Sequence, residues 1–209
     1  EEKARSIKKV CEENNITYIN ITSTEKASGF SDSHGRALNR IYKNFVQKRA
    51  KNFAFLDHDI LPIKEVNIGE YLANTDLFGA VMERGGIWYL WPGFAFYRYD
   101  YLKNKKLNFR RYRKFNFIKV KGADTGSGNW YPLYSKYNRN KFKKPDDILW
   151  NIRENRPANE NEQEGNVIQE SLVQYYLDKS WLHTMCASEW VDCKGKNQMI
   201  YKLLDEYLK

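Results

Sequence analysis

The sequence predicts an α/β domain in which one mostly parallel, twisted sheet is flanked by helices. Three observations carry that expectation. Residues 1–56 alternate helix, strand, loop, helix and strand, the order that builds a parallel sheet covered by helices. Phe53-Ala54-Phe55-Leu56 is an aromatic run of strand length, suited to a buried strand. It ends on Asp57-His58-Asp59, at the strand edge where open α/β sheets bind ligands.

The elements follow in order. Ala4, Ile7 and Val10–Cys11 recur at helical spacing, so residues 1–14 read as a helix that Asn14-Asn15 breaks. Ile16-Thr17-Tyr18-Ile19-Asn20-Ile21 is β-branched and alternating, which predicts a strand. Residues 22–33, rich in Ser, Gly and Asp, read as a loop. A helix follows to about residue 50, with Ala37–Leu38, Ile41–Tyr42 and Phe45–Val46 on its apolar face. Beyond the strand at 53–56 come a short helix over 67–74 and an apolar strand over 77–82. Aromatic residues then crowd around Pro92-Gly93, read as a turn. Residues 117–120 end a basic stretch on an apolar run, and 138–166 form an exposed hairpin or loop with a strand at 148–152. Trp181-Leu182-His183 is a late strand or loop, and 196–209 closes as an amphipathic helix. In a conventional α/β sheet a further strand would stand ahead of residue 1, and one is expected there.

The chain of 209 residues is of single-domain size. No apolar run approaches the roughly 20 residues a membrane-spanning helix needs. Cys11, Cys186 and Cys193 are scattered and odd in number, which fits reduced thiols and a cytoplasmic setting better than a disulfide framework. The net charge is +9, from 35 Lys plus Arg against 26 Asp plus Glu. Nine of those cations fall in residues 103–121 with no acid among them, which reads either as a solvated face or as a site for an anionic partner, an anionic membrane face included.

Asp57 and Asp59 offer hard carboxylate oxygens of the kind Mg²⁺ and Mn²⁺ prefer. The same tripeptide also serves as a turn or helix cap, but Ile60-Leu61-Pro62-Ile63 returns at once to apolar residues, as a solvated loop would not. His183 is the third candidate ligand, against the plainer reading of a packed core histidine. His58 is the weaker ligand, because strand alternation points it away from its flanking acids. His34 opens a helix, where backbone N–H groups favour an anion. Arg36 adds a guanidinium fork for phosphate or carboxylate.

Phe-Leu-Asp57-His58-Asp59-Ile-Leu-Pro, following Ser33-His34-Gly35-x-x-Leu38-Asn39, resembles the small GT-A-fold glycosyltransferases that use nucleotide-sugar donors. Trp91-Pro-Gly-Phe-Ala-Phe96, Asp124-Thr-Gly and His183 follow in the order that resemblance requires, over roughly residues 16–190. The resemblance implies a GT-A-like sheet and a Mn²⁺ or Mg²⁺ ion bridging the donor's phosphates. It makes Asp59 the stronger metal ligand, has Asp57 reach the donor's ribose or the metal's water shell, and lets His183 complete the metal's shell. His34, Arg36, Asp57 and His58 then bind the donor, with UDP-sugars favoured. Asp124 becomes the candidate general base of an inverting transfer to a glycan or other hydroxyl acceptor. Gly122, Gly126 and Gly128 would let backbone approach a sugar, and Trp88, Trp91 and Trp130 would stack on pyranose faces. Residues 1–83 would form most of the donor half and 84–209 the acceptor half.

Two rival functions use the same residues. A metal-dependent phosphohydrolase or nuclease would use both carboxylates but needs more converging acids. A nucleic-acid binder would use the basic stretch with Phe109, Tyr112, Phe115 and Phe117, although no standard nucleic-acid motif is present.

Overall fold

The computed structural model describes residues 2–21, 29–112, 123–142, 144–160, 162, 171–185 and 195–207. The apolar run at 117–120 that ends the basic stretch, and both Cys186 and Cys193, lie outside them. Helix α1 spans Glu2–Glu13 and α2 spans Phe30–Ile41, continuing through a π turn, Tyr42–Val46, into α3, Gln47–Arg49. Strands β1 (Phe53–Leu56) and β2 (Ile60–Pro62) come next, then α4 (Ile68–Tyr71), β3 (Leu77–Arg84), β4 (Ile87–Tyr97) and α5 (Tyr99–Leu102). The later elements are β5 (Asp147–Asn151), β6 (Arg156–Pro157), β7 (Leu172–Tyr176), β8 (Trp181–His183) and α6 (Lys196–Tyr207).

The expected parallel sheet is not what forms. The strands make two sheets, ordered β1-β4-β3 and β2-β8-β7-β5-β6, and among the described residues every strand pair is antiparallel. The connections explain this. A parallel pair needs a crossover of about a dozen residues or more, whereas only Gly85-Gly86 separates β3 from β4. Both glycines have positive φ, +60 and +78, the backbone that a type I′ hairpin turn requires. Residues 16–21 do not form a strand: they carry no strand pairing, and Ile16 and Ile19 are 58% and 37% exposed. The alternation that pointed to a parallel, GT-A-like sheet therefore loses its first strand.

Pro92-Gly93 is not a turn either. Both lie inside β4, an 11-residue strand buried along most of its length. Proline survives there because the β3–β4 register shifts between Gly79 and Val81, so β4 bulges where Pro92 sits. Gly79, at φ +150, is needed at the same place, since a Cβ would meet the Phe94 carbonyl oxygen.

The pattern of β4 also sets the layers. Ala95 and Tyr97 face one core with Phe55, Tyr42 and Phe109, which α2 covers through Leu38 and Ile41. Phe94 and Phe96 face the opposite way, into a second core with Ile60, Tyr176 and Trp181 of the other sheet. Phe94 stacks on Tyr176 with centroids 4.7 Å apart and planes 6° apart. A third core lies beyond, where Val173, Tyr175 and Leu182 meet Ile200 of α6. The order is thus helix, three-stranded sheet, five-stranded sheet, helix. Each fully buried aromatic or leucine contributes about 1.5–3 kcal/mol through loss of water contact, and the aromatic-rich seam between the sheets is where that burial concentrates. No described helix is long and apolar enough to cross a membrane.

Candidate functional site

The Asp-x-Asp occupies the corner where the chain leaves one sheet and enters the other. β1 ends at Leu56 and β2 begins at Ile60. The Asp57 amide donates to the Gly93 carbonyl (2.8 Å), and the Ile60 amide donates to the Asp57 carbonyl (3.1 Å), closing a turn. The Thr184 amide then donates to the Asp59 carbonyl at 2.9 Å. The corner is therefore fixed by backbone bonds to both sheets, and its two carboxylates need no packing of their own to be held in place.

Each carboxylate meets a histidine from a distant part of the chain. His34 of α2 places Nε2 3.5 Å from Asp57 Oδ1. His183 of β8 places Nε2 3.7 Å from Asp59 Oδ2. The β2–β8 register brings this about, since Ile60, the residue after Asp59, pairs with His183. Asp59 is only 9% exposed. Burial holds the Asp57 carboxyl above its ordinary value against the pull of His34; the Asp59 charge pushes it further up, and His58 and His183 pull it down. Two partly buried carboxylates side by side form a site that a cation would relieve.

The donor set fits such a cation. The 3.7 Å gap between His183 and Asp59 exceeds a hydrogen bond, yet one ion can touch both, because ligand distances run about 2.0–2.2 Å. Among the described residues no group of three or more His, Cys, Asp or Glu side chains converges as a metal site, so the residues that would face a cation here are the Asp59–His183 pair.

A cavity of 340 Å³ opens beside the corner, lined by His183, Trp91, Asp124, Tyr176, Gln174 and Asp147 among others. Asp124 arrives there on a loop folded against β4. Its amide donates to the Tyr89 hydroxyl (3.0 Å), its Oδ1 accepts from the Thr125 amide (2.7 Å), and the Ser127 hydroxyl donates to its carbonyl. Gly126, at φ +91, makes the close approach possible, since a Cβ would lie 2.8 Å from the Leu90 carbonyl. Trp91 lies with its indole against Gly93, where a Cβ would collide with the ring. The Trp91 ring centroid is 5.0 Å from that of His183.

The structure thus brings His34 to Asp57 and His183 to Asp59 at the corner, and places Asp124 and Trp91 at the adjoining cavity. Other expected site residues go elsewhere. Trp88 is 8% exposed, packed on Tyr134 and Phe142 with the Arg139 guanidinium over its ring, so it offers no face to a sugar. Trp130 packs against the first core and is not part of the cavity wall. His58 is exposed and lines no part of the cavity. Arg36 turns its Nε to the buried Asp32 (3.0 Å), which Arg110 also holds at 2.9 Å. Gly128 faces the protein's own backbone, with a built Cβ 2.5 Å from the Asn108 and Arg110 carbonyls. The cavity also draws on both halves of the chain, through Ala80 and Asp124 alike.

Three cations of the basic stretch are engaged by the protein itself. Lys103 pairs with Asp100 at 2.9 Å, Lys105 lies over Tyr101, and Arg110 pairs with Asp32; residues 113–121 lie outside the described set. Sequence reasoning missed Gln174 and Tyr176 altogether. Their signal was Leu172-Val173-Gln174-Tyr175-Tyr176, an apolar and aromatic run of strand length before Asp178.

The chain matches no protein-family model, no curated protein and no solved structure.

Proposed function

We propose that the chain is a metal-dependent glycosyltransferase that moves a sugar from a nucleoside-diphosphate donor, UDP-sugars favoured, to a hydroxyl of a glycan or other acceptor. One observation carries this reading. The Asp57–Asp59–His183 corner, suited to a cation shared with phosphates, adjoins a cavity that holds an oriented carboxylate, Asp124, and an aromatic side chain, Trp91.

The roles follow from position. Asp59 and His183 would hold the cation, with Asp57 beside them, and a bound Mg²⁺ or Mn²⁺ would supply Lewis acidity toward the departing diphosphate. His34 stands over Asp57 at the N-terminal half of α2, on the donor side of the corner. Trp91 offers an aromatic plane to the C–H face of a pyranose. Asp124 takes the proton from the acceptor hydroxyl as that oxygen bonds to the anomeric carbon and the bond to the diphosphate oxygen breaks. The sugar's configuration inverts, and the Asp124 carboxylate ends as the acid. Its Oδ1 already accepts the Thr125 amide, which leaves Oδ2 as the oxygen to receive the proton.

The test is product formation from a panel of nucleotide sugars with Mn²⁺, with and without EDTA, followed by proton NMR of the first product. Metal-dependent release of one nucleoside diphosphate with an inverted anomeric centre supports the reading. Turnover unaffected by EDTA overturns the metal role, and a retained configuration overturns the assignment of Asp124 as base. No stabilisation or turnover with any nucleotide, together with salt-sensitive binding of oligonucleotides, would favour the nucleic-acid reading.

A further inference from the structure

We infer that Gln174 is a positioning residue that fixes His183 as its Nδ1–H tautomer and so presents the Nε2 lone pair to a cation beside Asp59. The inference rests on the metal reading of the corner for its consequence, but its geometry stands apart from that reading.

Gln174 sits mid-strand in β7, paired across to His183 of β8 on one side and to Leu149 of β5 on the other. A primary amide has one accepting and one donating end, and here the neighbours settle which is which. Nε2 lies 2.8 Å from Asp147 Oδ2, and an ionised carboxylate only accepts. Oε1 lies 2.8 Å from the Tyr176 hydroxyl. The phenol O–H is the donor of that bond. The reversed amide would set its oxygen against the Asp147 carboxylate. Gln174 Oε1 therefore faces His183.

His183 Nδ1 stands 3.2 Å from that same Oε1. An oxygen that only accepts requires N–H at Nδ1. In the neutral ring this leaves the lone pair on Nε2, and Nε2 is the atom 3.7 Å from Asp59 Oδ2. The Trp91 and Tyr176 rings lie beside the imidazole, with centroids 5.0 and 6.2 Å from its own and the Tyr176 plane 13° from it. A lone pair directed at a carboxylate oxygen beyond hydrogen-bond range is a repulsive pair until a cation lies between them. Metal-binding histidines commonly give their other N–H to a carboxylate or a carbonyl. In this chain an amide carbonyl does so, with the Asp147 carboxylate one bond further out holding the amide in place.

The chain has three histidines, so side-chain signals in ¹⁵N-histidine-labelled protein can be assigned from single His→Gln variants. Long-range ¹H–¹⁵N correlation at about pH 8, where imidazole is ordinarily neutral, reads the tautomer directly in metal-free protein. The expected result is protonated Nδ1 and unprotonated Nε2 at His183 in the wild type, with loss of that preference in Gln174→Leu and its retention in Gln174→Glu. A wild-type Nε2–H tautomer overturns the inference, whether or not the variants fold, as does an unchanged tautomer in Gln174→Leu. Mn²⁺ titration by electron paramagnetic resonance then reads the consequence. Gln174→Leu is expected to bind about 10–100-fold more weakly, with Gln174→Glu recovering part of the loss. Equal affinity of Gln174→Leu and wild type would overturn the claimed effect on the cation. A wild type that binds no Mn²⁺ even with nucleoside diphosphate would instead overturn the metal reading, while the tautomer result stands by itself.

Discussion

Replacing Asp59 by alanine separates the site's function from the fold's stability. The Asp59 carbonyl, which anchors the Thr184 amide at 2.9 Å, survives the substitution, so the corner keeps its backbone ties. The side chain leaves two opposed effects behind. His183 loses its carboxylate neighbour at 3.7 Å, and Asp57 loses a like charge that pushes its carboxyl upward. These offset one another, so the free variant should melt within about 3 °C of the wild type, roughly 1 kcal/mol for a chain of this size. Binding behaves differently. A ligand at 100 times its Kd stabilises a protein by about 2.7 kcal/mol, and each kcal/mol moves Tm by about 2–4 °C in this size range. Wild type with Mn²⁺ and the preferred nucleoside diphosphate should therefore gain about 5–11 °C in a thermal-shift assay, and nucleotide with EDTA should give almost none of it. Asp59→Ala should lose the metal-dependent gain while keeping its own Tm. A variant that retains the full shift refutes the assignment of Asp59. Should the alanine variant fold poorly, Asp59→Asn keeps the shape and carries the same test.

Asp124→Asn should leave the metal- and nucleotide-dependent Tm gain intact while kcat falls by about 10²–10⁴; a variant with near wild-type kcat would show that Asp124 is not the base. Gly126→Ala places a Cβ 2.8 Å from the Leu90 carbonyl at φ +91, so it should cost about 1–3 kcal/mol and lower Tm in differential scanning calorimetry, with transfer rate falling as Asp124 shifts; an unchanged Tm would mean the loop relaxes freely. The Glu162 carboxyl is pulled down to about 2, first by Arg156, then by the Asn159 amide and Asn151. Its contribution to the β5–β6 hairpin is then fully present above the ordinary value of 4.5 and is lost as pH falls toward 2. The Tm difference between wild type and Glu162→Gln should be largest near neutral pH and shrink below about pH 4.5; a difference constant with pH would refute that pairing.

What the sequence disclosed and what it hid have physical causes. Phe53–Leu56 was legible as a strand because a run of that length with no polar residue has few alternatives, but its burial was not: only Phe55 of the four is buried, Leu56 is exposed, and Asp59 beyond it is buried. The helices at Glu2–Glu13 and Lys196–Tyr207 were legible from apolar spacing. The strand β4 was hidden because Pro92-Gly93 ordinarily signals a turn, and only a bulge opposite Gly79 and Ala80 lets both sit inside a strand. Residues 16–21 show the converse: β-branched alternation fits a strand, but no described neighbour offers a ladder, and local preference alone does not make a sheet. Among site residues, the reach from Asp59 to His183 was anticipated without the register that creates it. Trp88 and Trp130 were misplaced because an aromatic side chain serves equally well for stacking on a sugar and for filling a core. Nothing in the chain's local pattern tells one use from the other.

Losing the parallel sheet removes the fold argument for a ligand site at Asp57–Asp59 and leaves the local geometry of the corner to carry the proposed chemistry. What the proposed transfer needs is a pair of carboxylates held at a fixed separation from a base and an acceptor surface. A chain can meet that need wherever a turn is tied at both ends to rigid elements. Here the turn is the three-residue corner, tied to β4 through Gly93 and to β8 through Thr184. The distance from His183 to Asp59 is accordingly a property of the five-stranded sheet itself, set by the β2–β8 register and by the Thr184 amide on the Asp59 carbonyl. The same sheet explains why Gln174 matters: it lies one strand beyond His183, where the five-stranded sheet can fix the imidazole from behind while the three-stranded sheet supplies Asp57 and Trp91 from in front.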